Sequence, residues 1–164
     1  MLVSRWGINL KKFLVILGLI IFLFIILIGY GNSSISTNNN NSLQPKQVIE
    51  HYFKYYNQKD RQGLSSTLTS WHDQSNMVFG FKNLIFIKLL RIGDNDMTTV
   101  NGYLGFGRGK VNVVKPNNVV AYKVTYVSLY SKNTPPWSSG LQTEYFTLIK
   151  DSDNGPWLID DMGQ

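Results

Sequence analysis

Phe13 to Tyr30 reads FLVILGLIIFLFIILIGY, eighteen residues without a charge. A water-soluble fold would have to enclose such a segment on every side, whereas a bilayer accepts it directly. A membrane-crossing helix needs about 20 predominantly apolar residues, with a range of roughly 17–25. The segment must be helical there, because hydrocarbon offers no partners to backbone N–H and C=O groups. Gly18 and Gly29 are compatible with this, glycine being common in such helices. The competing form is a cleaved secretory signal. Its apolar core is normally about 7–15 residues, shorter than this run, although Gly29 and Gly31 have the spacing of a cleavage site. Both forms place everything downstream outside the cytoplasm. Arg5, Lys11 and Lys12 precede the run and no basic residue follows it until Lys46, so the N-terminus is expected inside. The expected organisation is a cytoplasmic stub (1–12), a single transmembrane anchor (13–30), an Asn/Ser-rich linker (31–44) and an extracytoplasmic domain (45–164).

Charge and cysteine content narrow the character of that domain. Setting aside Arg5, Lys11 and Lys12, the net charge of +6 becomes +3, and the remaining cations are scattered. Nucleic-acid binding needs a clustered basic footprint, so no nucleic-acid partner is expected. The chain has no cysteine, which excludes disulfide staples, thiolate zinc sites, a cysteine nucleophile and a lipid-modified cysteine after the apolar run. A domain of about 120 residues is long enough to stand on its hydrophobic core alone.

Gly31–Ser42 is low in complexity and cannot bury apolar surface. An asparagine-rich tether after a plain anchor suits a bacterial cell envelope. Pro45 fits the first turn of a helix, where its missing N–H is no loss. Val48, Ile49, Tyr52, Phe53 and Tyr56 then fall on one helical face, and polar Asn57–Arg61 ends the segment. A second helix is expected over Gln62–Trp71, with Leu64, Leu68 and Trp71 aligned. From Asn83 the pattern is strand-like: Leu84–Ile92, Lys110–Val114, Val119–Tyr130, Leu141–Lys150 and Trp157–Asp161. Turn signals rich in Gly, Pro, Asn and Asp separate these runs. Helices first and strands after predict an α+β fold, two helices packed on one face of an antiparallel sheet.

Three segments resemble the nuclear transport factor 2-like superfamily: VIEHYFKYYNQKD (Val48–Asp60), NLIFIKLLRI (Asn83–Ile92) and YFTLIKDSDNGPWLIDDMGQ (Tyr145–Gln164). More narrowly, LIK, a polar turn, PWLIDD and a glycine resemble the bacterial family called domain of unknown function 4829. The resemblance covers about Pro45–Gln164 and implies a curved, cone-shaped sheet with an internal pocket. It implies no mechanism: some superfamily members are isomerases or dehydratases, and many only bind.

Candidate chemistry is sparse. Asp160 and Asp161 tempt as a catalytic pair, but neighbours in a strand point to opposite faces. The alternation puts Trp157, Ile159 and Asp161 on one face and Leu158, Asp160 and Met162 on the other. One aspartate is then expected inside the cone and the other in solvent. His51 and His72-Asp73 have no nucleophile elbow G-x-S-x-G to serve, and two histidines without cysteine make a poor zinc set. GYLGFGRG (Gly102–Gly109) matches neither phosphate-loop pattern, and its glycines are expected to bend a curved sheet. Asp151–Gly155 begins like a calcium loop, but its glycine comes one residue early and Met162 stands where glutamate is required. A hairpin turn is expected instead. No metal and no cofactor are expected.

The aromatics carry what signal remains. Tyr52, Tyr56, Tyr122 and Tyr126, with Asp161, are the candidate ligand-binding residues, since tyrosine combines an apolar body with a polar tip. Trp157 is expected to be buried between helices and sheet. The expected function is binding of a small molecule, a peptide or an envelope partner by a membrane-anchored module that is monomeric or a homodimer. The alternatives are an isomerase- or hydrolase-like pocket enzyme, using Asp161 or Asp160 with a tyrosine, and a structural interaction domain of an envelope assembly.

Overall fold

A computed structural model describes residues 42–72 and 76–163. The stub, the apolar run Phe13–Tyr30 and most of the linker lie outside the described residues, as does Asp73. Among the described residues no helix is long and apolar enough to cross a membrane.

Helix α1 (Pro45–Gln58) starts with proline in its first turn and buries Val48, Ile49, Tyr52, Phe53 and Tyr56, the stripe that the periodicity predicts. Lys59, left-handed at φ 57°, ends it. Asp60 then opens α2 (Arg61–Ser65), its Oδ1 accepting the Gly63 N–H at 2.9 Å. This helix is shorter than the expected Gln62–Trp71. After it the chain straightens and runs parallel to the last strand. Ile159 N–H donates to the Thr67 carbonyl and Thr69 N–H to the Ile159 carbonyl, both at 2.9 Å. These two bonds cover part of the β4 edge.

Four strands, β1 (Leu84–Asn95), β2 (Val119–Tyr130), β3 (Gly140–Ile149) and β4 (Leu158–Gly163), form an antiparallel meander in the order β1-β2-β3-β4. Its register sorts the side chains. Leu84, Ile87, Leu89 and Ile92 of β1 stand opposite Tyr130, Ser128, Tyr126 and Val124 of β2. With Phe146, Leu148 and Ile159 they make the face that α1 covers. Val119, Ala121 and Ile149 lie on the other face and form a second, smaller core with Val100 and Tyr103.

That second core is built by two helices between β1 and β2, where the sequence reading placed only strands and bends. Asp96 caps α3 (Met97–Gly105), accepting the Thr99 N–H at 2.8 Å. Lys110–Val114, read as a strand, begins inside α4 (Arg108–Val111) and continues through a left-handed Val113 at φ 53°. The glycines of Gly102–Gly109 therefore end and join helices and do not bend the sheet. A Cβ on Gly109 would stand 2.5 Å from the Tyr103 ring, so the close approach of that ring requires glycine. The α+β class stands, with helices on both sides of the sheet.

Candidate functional site

Between α1 and the inner face of β2 and β3 lies a cavity of about 270 Å³. Its walls combine aromatic rings, from Tyr52 and Tyr56 of α1, Tyr126 and Tyr130 of β2, Phe146 of β3 and Trp137 of the β2–β3 connection, with the polar Ser128, Ser138 and Gln142. One charged side chain lines it, Glu144. The single helical turn of α1 from Tyr52 to Tyr56 and the two-residue period of the strands bring these rings together. Tyr52 meets Phe146 edge to face with centroids 5.5 Å apart, and Phe53 lies 5.0 Å from Tyr126.

The polar tips are placed by partners. Tyr126 Oη donates to Glu144 Oε1 at 2.9 Å. Tyr56 Oη donates to the Phe79 carbonyl and lies 3.5 Å from Tyr130 Oη. Burial pushes the phenols of Tyr52, Tyr56 and Tyr126 above their ordinary range, and the charge of Glu144 adds to the rise at Tyr52 and Tyr126. These phenols are neutral near pH 7, able both to donate and to accept hydrogen bonds.

Of the five expected residues, Tyr52, Tyr56 and Tyr126 line this cavity. Tyr122 is buried in the main core on the same strand face, with Lys46 Nζ 5.4 Å from its ring centroid, and does not line it. Asp161 is exposed, opposite Thr147, its Oδ1 accepting its own neighbour's N–H from Met162. Glu144, Tyr130 and Trp137 were not singled out from the sequence. Alternation along β3 carries the signal for Glu144, since it shares a face with Phe146 and Leu148. Nothing local marks Trp137.

Asp160 has a different setting. On β3, Thr147 and Leu148 are consecutive, yet they pair with Asp161 and Ile159. Asp160 is the extra residue of a β-bulge, and bulges re-aim side chains. Ile159 enters the α1 core, while Asp160, 1% exposed, points beneath α3 and α4. Its carboxylate accepts from Thr69 Oγ1 (2.7 Å), Tyr103 Oη (2.6 Å), Arg108 Nε (3.0 Å) and, at longer range, Arg108 Nη2 (3.4 Å). Burial alone would raise its pKa, but the bonds from Arg108, Tyr103 and Thr69 outweigh burial and hold it below the ordinary carboxylate value. Asp160 is an ionised, fully engaged acceptor. The expected alternation is thus broken at the bulge, and neither aspartate enters the tyrosine cavity.

Around this node the Arg108 guanidinium stacks 4.1 Å from the Trp71 ring centroid, and His72 Nε2 donates to the Asp160 carbonyl at 2.9 Å. An open, polar cleft of about 740 Å³ lies beside it, with Lys115 and Lys150 on its walls. Arg108, Tyr103 and Thr69 also escaped the sequence reading, because the bulge and α3 that bring them together have no pattern of their own. His51 packs edge-on to Tyr55 at 5.8 Å. Among the described residues no group of three His, Asp or Glu side chains is placed to hold a metal ion. Asp151–Gly155 forms the β3–β4 turn, Gly155 N–H donating to the Ser152 carbonyl at 3.0 Å.

Trp157 is half-buried at the rim of the main core, with Lys150 Nζ 4.9 Å from its ring centroid, less enclosed than the closing-hairpin pattern suggests. Residues 46–163 match the family described as Domain of unknown function (DUF4829). No curated protein and no solved structure matches the chain at a significant level.

Proposed function

We propose, for a chain that belongs to the DUF4829 family and takes no activity from that membership, a membrane-tethered binding module. Its ligand enters the cavity between α1 and the sheet. The observation that carries this reading is the cavity itself: aromatic walls, a few oriented polar tips and one carboxylate. Ligand sites are typically concave and mostly apolar, with a small number of placed polar groups. At about 270 Å³ it sits just below the usual range of roughly 300–1,000 Å³, which favours a small ligand or the end group of a larger one.

Two further elements belong to the same reading. The helix-then-meander order and the pocket under α1 fit a nuclear transport factor 2-like cone. The uncharged run Phe13–Tyr30, with cations before it, fits an anchor that holds the domain outside the cytoplasm. Against the enzyme alternative stand the positions of the two aspartates: Asp160 is already bonded to Thr69, Tyr103 and Arg108, and Asp161 is in solvent.

A small-fragment screen by nuclear magnetic resonance on the protein in detergent tests the proposal. Hits should shift resonances of Tyr52, Tyr126 and Trp137 in one cluster. Turnover lost in Asp160→Asn or Asp161→Asn with folding intact would replace binding with catalysis. Hits confined to the outer sheet face would leave a surface interaction role.

A further inference from the structure

We infer that the ligand of the tyrosine cavity carries a quaternary or substituted ammonium group, held by the aromatic faces and by Glu144. This rests on the cavity being the ligand site, as proposed above, and names the class of molecule it takes.

The argument begins with what lines the cavity and what does not. Tyr52, Tyr56, Tyr126, Tyr130, Trp137 and Phe146 surround it, and no lysine, arginine or histidine does. In a chain with 16 Lys and Arg against 10 Asp and Glu, a charged cavity whose only formal charge is negative runs against the overall balance. Arg61, 5.2 Å over the Phe79 ring, is outside the lining. Aromatic faces carry negative potential and attract cations, most strongly where water is excluded. Anions are repelled by the same faces and by Glu144.

Glu144 is placed for the task and held there. Register puts it opposite Val124, on the inner face of the sheet. Tyr126 donates to Oε1, which leaves Oε2 without a hydrogen bond from the described residues. Oε2 keeps contact with solvent, so a ligand cation entering the cavity can pair with it. Tyr126 spends its one proton on Glu144, and Tyr56 spends its own on the Phe79 carbonyl. Their remaining capacity is as acceptors and as rings. A cavity that sets one carboxylate and several π faces beside the donors of Tyr52, Trp137 and Gln142 can take a cation. Its small volume suits a compact head: a methylated ammonium replaces N–H donors with apolar methyl groups and loses less hydration on entering an aromatic enclosure.

Choline and its neutral isostere 3,3-dimethyl-1-butanol have the same shape and differ in charge. They are titrated into the full chain in a maltoside detergent, whose headgroup carries no ammonium, with tryptophan fluorescence and nuclear magnetic resonance as readouts. Choline is expected to bind about tenfold more tightly than the isostere, the effect of about 1.4 kcal/mol. Glu144→Gln keeps the shape and is expected to weaken choline by a similar factor while leaving the isostere unchanged. The unchanged affinity for the isostere shows that Glu144→Gln is folded with its cavity intact. Equal binding of the two probes would overturn the ammonium assignment and leave the cavity a site for neutral ligands. Silence from both at about 50 mM, which registers binding as weak as ~2 kcal/mol, would also overturn it. The fragment screen judges the cavity itself separately.

Discussion

Asp160→Asn is the most revealing single change, because it separates a structural carboxylate from a catalytic one. Shape is preserved and the charge is removed. Arg108 then loses its only counter-ion among the described residues, and Thr69 and Tyr103 lose a charged acceptor. Breaking a buried ion pair from one side typically costs about 3–5 kcal/mol. Arg108 keeps 28% of its side chain exposed and can recover some hydration, and asparagine still offers one oxygen. The expected loss is therefore about 2–4 kcal/mol, a fall in Tm of roughly 10 °C for a domain of this size. Urea unfolding at pH 7, followed by tryptophan fluorescence, measures it. The midpoint should fall with the slope unchanged. Trp71, stacked on Arg108 and 50% exposed, should change its emission in the folded baseline.

The pH dependence gives an independent check. Asp160 has a folded-state pKa below its unfolded value. Its contribution is fully present above the unfolded value, near 4, and is lost as pH falls through the folded one. The gap between wild type and Asp160→Asn should therefore be constant from pH 5 to 7 and shrink below about pH 4. A loss under about 1 kcal/mol at pH 7, or a gap that does not close in acid, would refute the structural assignment. Asp160 would then be free to act on a ligand in the neighbouring cleft.

Three further outcomes follow from the same contacts. Gly109→Ala should cost about 1–3 kcal/mol, measured by chemical unfolding, because the added methyl group meets the Tyr103 ring at 2.5 Å. Trp157→Ala should cost about 1–3 kcal/mol, below the ~3–5 kcal/mol of a fully enclosed aromatic, since its ring is half-buried; a loss above that range would place it in the core proper. Protease added to spheroplasts should remove residues 45–164 and spare a short membrane-held fragment, whereas a mature chain starting near Asn32 that washes off membranes would establish a cleaved signal.

Much of the main core was legible because periodicity and burial are the same fact seen twice. Val48, Ile49, Tyr52, Phe53 and Tyr56 recur with the helical period, and all five are buried. The β2 run is unbroken in its pairing with β3 from Val119 to Ser128, so simple alternation assigns Tyr122, Val124 and Tyr126 to one face. Alternation fails where an element is short or glycine-rich. α3 and α4 span nine and four residues, too few for a moment to emerge. Their glycines read as sheet bends because the reason for Gly109 is a ring that arrives from six residues upstream.

The bulge at Asp160 explains most of what the sequence reading missed about the site. With strict alternation, Ile159 and Asp161 would share a face and Asp160 would face the other way with Met162. One extra residue breaks that phase: Ile159 and Met162 now both stand over the α1 core, opposite Leu148 and Phe146, and Asp161 is turned to solvent. The displaced Asp160 finds three donors from three separate segments, Thr69, Tyr103 and Arg108. A bulge costs a ladder pairing, and the charged hydrogen bonds to the extra residue offset that cost. The inner face then keeps a single carboxylate, Glu144, among its tyrosines. Had β4 kept its phase, Asp161 would share the inner face with Ile159 and bring a second carboxylate there. The irregularity that conceals the Asp160 node from sequence reading thus leaves the tyrosine cavity with Glu144 as the one charged residue of its lining.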